Sequence, residues 1–166
     1  LINPPASRAL LRDYFCTSVA KTGYLWHPID LLTLSGGIAE RYEPVVVDAV
    51  AEGLDEEATI ARLGRDGLHA TVFLAAAGRQ TDLAFAARVK QRKGGLLVGL
   101  GEELFGGPAA ALARTPQLDA VVVDFTSDAL VLWLGGARDG LAGIVWRDGD
   151  RIRGDAAPAH GTFSIP

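Results

Sequence analysis

The sequence predicts an α/β fold, with five parallel strands joined by helices and closed by an antiparallel hairpin. Short runs such as Val45-Val46-Val47, Thr71-Val72-Phe73-Leu74, Leu96-Leu97-Val98 and Ala120-Val121-Val122-Val123 alternate with segments of helical spacing. That alternation means a parallel sheet with right-handed crossovers. The runs are apolar at consecutive positions, as strands covered on both faces are. Near the end, Gly143 to Arg153 places two extended runs around Asp148-Gly149, the strong signal of a hairpin turn.

The elements follow in order. Leu1-Ile2-Asn3 reads as the end of a buried first strand, stopped by Pro4-Pro5, because proline fixes φ and gives no N–H to a ladder. The chain opens on Leu1 inside this strand, so residues upstream are expected. Ala6 to Trp26 has weak periodicity and is expected to form a short helix and a loop over the sheet's carboxyl edge. His27-Pro28-Ile29-Asp30 begins a helix with Pro28 in its first turn, and Ile29, Leu32 and Leu34 form the expected buried stripe. Glu43 to Asp48 is the second strand. Asp55-Glu56-Glu57 opens a helix with acids where the macrodipole favours them; Ile60 and Leu63 face inwards and Gly67 ends it. Ala70 to Ala76 is the third strand. Thr81-Asp82 caps a helix to about Lys93, packed through Leu83, Phe85, Ala86 and Val89. A fourth strand over Leu96-Leu97-Val98 precedes a short helix from Pro108, and a fifth over Ala120 to Val123 precedes a helix from Ser127-Asp128 through Leu130, Leu132 and Trp133.

Composition narrows the function. At 166 residues the chain is one domain, and 49 % hydrophobic with 22 % charged residues is ordinary for a globular protein. A net charge of −4 argues against nucleic acid as the main partner. No apolar run reaches membrane-spanning length, and no secretory signal is visible. The single Cys16 excludes an internal disulfide and a thiolate-rich metal cluster built from this chain. Cytoplasm is the expected location.

In a parallel sheet all strand-to-helix turns lie on one edge, where open α/β sheets bind ligands. Here they are Asn3-Pro4-Pro5, Asp48-Ala49, Ala75 to Gly78, Gly99 to Glu102 and Asp124 to Ser127. Small residues let a flat ligand approach the backbone, although such residues also serve simply as tight turns. Other motifs fail on spacing. Gly99-Leu100-Gly101 with Gly106 misses the dinucleotide fingerprint and follows a fourth strand, not a first. Leu34-Ser35-Gly36-Gly37 has no accompanying phosphate loop. His27, His69 and His160 lack companions at metal-ligand spacing. Cys16 has no evident base nearby, and His27 reads as a helix-start residue beside Trp26. Asp48, Asp124 and Asp128 evoke an acidic phospho-acceptor pocket, but Leu1-Ile2-Asn3 carries no paired acids and no lysine follows Lys93.

The order of the pieces resembles the N-terminal cobalamin-binding domain of cobalamin-dependent radical S-adenosylmethionine enzymes. The matching features are LINPP, HPIDLLTLSGGIAE, VVVDA with EGLDEEA, HATVFLAAA, LLVGLG, LDAVVVDF and GLAGIVWRDGDRIR, covering nearly the whole chain. The resemblance implies a three-layer flavodoxin-like (Rossmann-like) arrangement of a five-stranded parallel sheet with a C-terminal β-hairpin. It implies cobalamin over the carboxyl edge, its nucleotide tail tucked between loops. The contacts it implies are Asn3, Pro4, Pro5, Ala75, Ala76, Gly99, Gly101, Glu102, Phe125, Thr126 and Ser127. It implies that residues 1–153 are the cofactor module and 154–166 a linker to a C-terminal radical S-adenosylmethionine domain. That domain would hold the iron–sulfur cluster and S-adenosylmethionine, its C-x-x-x-C-x-x-C motif lying beyond Pro166. The module would be non-catalytic, holding cobalamin as methyl carrier for a methyltransferase-type enzyme. Two departures stand out. D-x-H-x-x-G is absent, so cobalamin is expected without an axial histidine. The family's G-G-P-H and G-E-G-E turns are replaced by Gly99-Leu-Gly101-Glu102 and Asp124-Phe-Thr-Ser127. The alternative is a same-fold domain that has lost cobalamin and serves as a structural or regulatory interaction surface.

Overall fold

The computed structural model describes residues 1–13, 16–20, 25–64 and 66–157, without the side chains of residues 13 and 16. Strands β1 (Ile2–Asn3), β4 (Val47–Asp48), β5 (Ala70–Leu74), β6 (Leu96–Leu100) and β7 (Ala120–Val122) are all parallel. The antiparallel strands β8 (Ile144–Asp148) and β9 (Arg151–Asp155) continue the same sheet, whose order is β4-β1-β5-β6-β7-β8-β9. The sheet therefore has seven strands where five were expected. The hairpin is not an appendage, because Val122 to Ala120 pair residue for residue with Ile144 to Trp146. Numbered among themselves, the parallel strands follow the doubly wound order 2-1-3-4-5, so the fold is a mixed α/β one compatible with a Rossmann-like architecture.

Helices cover both faces. α1 (Ile29–Ala39) and α6 (Ala129–Leu134) pack through Leu31, Leu34, Ile38, Leu130 and Trp133 on Val72, Leu74, Val98 and Val122. On the other face α2 (Glu56–Arg62), α3 (Gln80–Lys93), α4 (Glu102–Phe105) and α5 (Pro108–Arg114) bring Ile60, Phe85, Val89, Leu104 and Leu112 onto Ile2, Phe73, Leu97 and Val121. Neighbouring residues such as Val72 and Phe73 serve opposite cores because side chains alternate along a strand. That is why these runs carry no polar face.

Several local expectations change. Ala6 to Trp26 forms no helix among its described residues; it makes a separate hairpin, β2 (Leu10–Asp13) with β3 (Cys16–Val19). Of Cys16 only the backbone is described. The expected second strand is reduced to Val47–Asp48, and Val45 is 39 % exposed. α1 buries Leu31, Leu34 and Ile38, not Ile29 and Leu32, which are 59 % and 45 % exposed. α2 stops at Leu63 rather than Gly67. α3 starts from Arg79; Asp82 is not its cap, being drawn into the sheet edge instead. β9 extends through Gly154 and Asp155, the first two residues of the expected linker. Residues 158–166, most of that linker, lie outside the described residues. No described helix is long and apolar enough to cross a membrane.

Candidate functional site

Because β1, β4, β5, β6 and β7 run the same way, the turns that follow them share one rim. Asn3, Pro4, Ala75 and Ala76 sit there at the ends of β1 and β5, all buried, with Pro5 half-buried. Gly101 and Glu102 follow β6, and Phe125, Thr126 and Ser127 follow β7, with Thr126 exposed. Gly101 takes φ +111°, and a Cβ there would come within 2.7 Å of the Ala75 carbonyl oxygen. Its lack of a side chain thus lets two adjacent turns close on each other. Gly99 departs from the expected set. It lies inside β6, where a Cβ would meet Leu104 Cδ1 at 2.2 Å, so its space belongs to the core beneath α4 and not to the rim.

The rim has two unlike halves. The doubly wound order reverses between β1 and β5, the crevice in which open α/β sheets take ligands. Here Arg12 of β2 fills it. Its Nε and Nη2 donate to Asp82 Oδ2 and Oδ1 at 3.0 and 2.9 Å, a bidentate pair whose side chains are each 1 % exposed. Nη1 donates to Asn3 Oδ1 and to the Pro4 carbonyl, both at 2.8 Å. Asn3 Nδ2 then donates to Asp48 Oδ1, and Asp82 Oδ2 also accepts the Ala76 N–H. Burial pulls the Arg12 guanidinium down from its ordinary value, opposed by its hydrogen bonds and attraction to Asp82. A second tie runs from the Ala77 N–H to Thr17 Oγ1 of β3, at 3.4 Å. What free space remains between Asn3, Arg12, Trp26, Pro28 and Asp48 is about 10 Å³, room for little more than one water.

The other half is made of short turns that satisfy themselves. Asp124 Oδ1 accepts from the Thr126 N–H at 2.9 Å and from Thr126 Oγ1 at 2.6 Å, while Ser127 Oγ donates to the Asp124 carbonyl. Glu103 of α4 reaches over the start of α3, accepting from the Gly78 N–H at 2.7 Å and from Gln80 Nε2 at 3.1 Å. Nothing lies within 4 Å of where a Gly78 side chain would begin, so this side is open above its backbone.

Arg12 and Asp82 are the central residues that sequence reasoning missed as a site. The one available signal was an arginine directly after Leu10-Leu11 in a segment without helical period. A larger cavity than the space beside Arg12, of about 110 Å³, lies at the opposite, amino edge between Leu1, Tyr42, Val45, Leu68 and Thr71. His69 stacks on Tyr42 at its wall, with ring centroids 5.1 Å apart. It shares no residue with the expected contacts. His27 stands exposed at the start of α1, and the described residues hold no cluster of three or more His, Cys, Asp or Glu able to bind a metal ion. No protein-family model matches the chain, and neither a curated protein nor a solved structure is significantly similar to it.

Proposed function

We propose that this chain is a cofactor module that holds cobalamin on the carboxyl rim of its sheet, without an axial histidine. It would serve as the methyl carrier of a radical S-adenosylmethionine methyltransferase-type protein whose chemistry is performed by another domain. The observation that carries the reading is the convergence of the five strand-to-helix turns on one rim, in the order in which the resembling motifs occur. The two halves fit the cofactor unequally. The β6–β7 half fits: the half-buried Glu102 and the exposed Thr126 offer polar groups to amide side chains, beside the half-buried Phe125 as a flat contact surface. The switch-point half does not fit, since Arg12 occupies it, so Asn3, Pro4 and Ala76 act through the network that shapes the rim. Bound cobalamin would supply a transferable methyl group; the chain's own residues bind, orient and shield it.

The test is retention. Protein incubated with hydroxocobalamin and desalted should carry corrin absorbance at one per chain, with fluorescence of the 53 % exposed Trp26 quenched. Colourless protein with unchanged fluorescence rejects the proposal. The filled crevice specifically favours a second reading, a same-fold domain that has lost the cofactor and acts as an interaction surface, and that outcome would leave it standing.

A further inference from the structure

We propose that the cavity at the amino edge of the sheet is a second binding site, which takes a small neutral ring carrying a hydroxyl, of the phenol class, and pairs that hydroxyl with Thr71 Oγ1. The inference stands apart from the cofactor reading, because the cavity lies at the edge opposite the carboxyl rim and shares none of the contacts expected there.

Two independent observations meet at one residue. β5 reads Ala-Thr-Val-Phe-Leu, so Thr71 is the one polar side chain in an otherwise apolar strand, and it stands beside Leu97 in the ladder with β6. Valine has nearly the same shape and would suit a buried strand as well without a hydroxyl. Thr71 is 2 % exposed, and its Oγ1 has no hydrogen-bond partner among the described residues. Buried polar atoms are almost always paired, so an orphaned one marks a place where a partner from outside the chain fits. The second observation is that Thr71 lines the cavity of about 110 Å³. Water alone is a poor occupant there. A buried water needs two or more polar partners, and Ile38, Leu63, Leu68 and Val72 in the walls offer no polar side chain.

Size and lining define the ligand. An apolar cavity of about 150 Å³ holds benzene, so about 110 Å³ takes a single six-membered ring and no larger body. The aliphatic walls give it apolar contact, and Tyr42, held in its stack on His69, gives it an aromatic face. A charged ligand does not fit. It would shed its hydration against these walls without a counter-charge, and the exposed Glu43 beside them repels a carboxylate. A hydroxyl does fit, because the threonine O–H both donates and accepts and so matches a phenolic O–H in either sense. Rotation about χ1 between staggered wells decides whether Oγ1 or the methyl faces the space, so the site needs no movement of the strand.

Titration of the intact chain with phenol, benzene and benzoate, followed in proton–nitrogen correlation spectra, tests this. Phenol should bind with a Kd of about 0.1–1 mM and shift the backbone amides of His69, Thr71 and Val72. Benzene should bind about tenfold more weakly at the same amides, and benzoate not at all. Thr71→Val, which keeps the shape and loses the hydroxyl, should bind phenol no better than benzene. Its benzene affinity should equal that of the wild type, which shows the cavity intact in that variant. Thr71→Ser, which restores a hydroxyl, should restore the preference for phenol. Absence of phenol binding, or shifts confined to residues away from the cavity, overturns the proposal and leaves the space to solvent or to another stretch of polypeptide. An undiminished phenol preference in Thr71→Val overturns it equally. These readings are the same whether or not hydroxocobalamin is retained at the carboxyl rim, so the two proposals fail separately.

Discussion

The two halves of the carboxyl rim solve the same problem in opposite ways. Both end parallel strands, and both must satisfy backbone and side-chain polar groups at a sheet edge. The β1–β5 half imports an arginine from the separate β2–β3 hairpin, which is not paired with the main sheet, and uses four of its hydrogen bonds to join Asp82, Asn3 and Pro4. The β6–β7 half relies on neighbours in sequence for its side-chain bonds at the β7 turn, with Asp124 serving Thr126 and Ser127 serving the Asp124 carbonyl, and its longer ties, from the Gly78 N–H to Glu103 and from the Asp124 N–H to the Gly143 carbonyl, bring in no buried charge. A long-range buried network makes one half rigid and closed. Local turns leave the other accessible, and the proposed ligand face is there.

The largest effect should come from breaking the closed half. Arg12→Ala leaves the Asp82 carboxylate, whose side chain is 1 % exposed, with only the longer contact from the one-third-exposed Arg79 Nε at 3.5 Å, and truncating one partner of a buried pair costs about 3–5 kcal/mol. Chemical denaturation should report a loss of that size. Removing both charges in an Arg12→Met/Asp82→Leu double variant should recover most of it, whereas a double variant as unstable as Arg12→Ala would mean that the ion pair is not the reason for the closure. Next is Gly101→Ala, which forces a side chain into φ +111° and against the Ala75 carbonyl oxygen, for about 2–3 kcal/mol. Unfolding that matches wild type would remove Gly101 from its role as the closure point between the two halves.

Much of the fold was legible because it rests on local pattern. Runs such as Val121-Val122 can only be strands buried on both sides, and Asp148-Gly149 dictated its hairpin, with Gly149 at φ +59°. What was not legible depends on partners distant in sequence. Arg12 and Asp82 are 70 residues apart, and nothing in either neighbourhood announces the other. Asp82 was readable as a helix cap because acids at helix starts usually are, but the Ala76 N–H and Arg12 outcompete that role. The reversal on α1 has a similar cause. With apolar residues at 29, 31, 32, 34 and 38, periodicity alone does not say which stripe faces the sheet, and the structure settles on Leu31, Leu34 and Ile38. Among the expected contacts, turn positions such as Ala75 and Gly101 were legible from strand ends. Gly99 was misplaced by one pleat, its strand running two residues beyond Val98.

On the cobalamin reading, the asymmetry should also govern binding. Thr126→Glu places a charge on the open half and should weaken hydroxocobalamin retention about tenfold, equivalent to about 1.4 kcal/mol. The Arg12→Met/Asp82→Leu variant, once shown to be folded, should bind within about threefold of wild type, a difference under about 1 kcal/mol. The reverse ranking, read by equilibrium titration of Trp26 fluorescence, would move the ligand to the closed half and overturn the division drawn here.

The smallest effect belongs to the open half's own stability. Thr126→Ala removes the hydroxyl that donates to Asp124 Oδ1 at 2.6 Å, but the Thr126 N–H continues to donate to the same oxygen at 2.9 Å. The residue is exposed, so water replaces the lost partner and no buried acceptor is orphaned. The cost should be about 0.5 kcal/mol, a shift of about 1–2 °C in Tm for a chain of this length. Asp124→Ala should cost more, about 1–2 kcal/mol, because it deprives a backbone N–H as well as a hydroxyl of their acceptor. If instead Thr126→Ala matched Arg12→Ala in a thermal melt, the two halves would be held by networks of equal reach, and local turn chemistry would no longer explain why one of them is open.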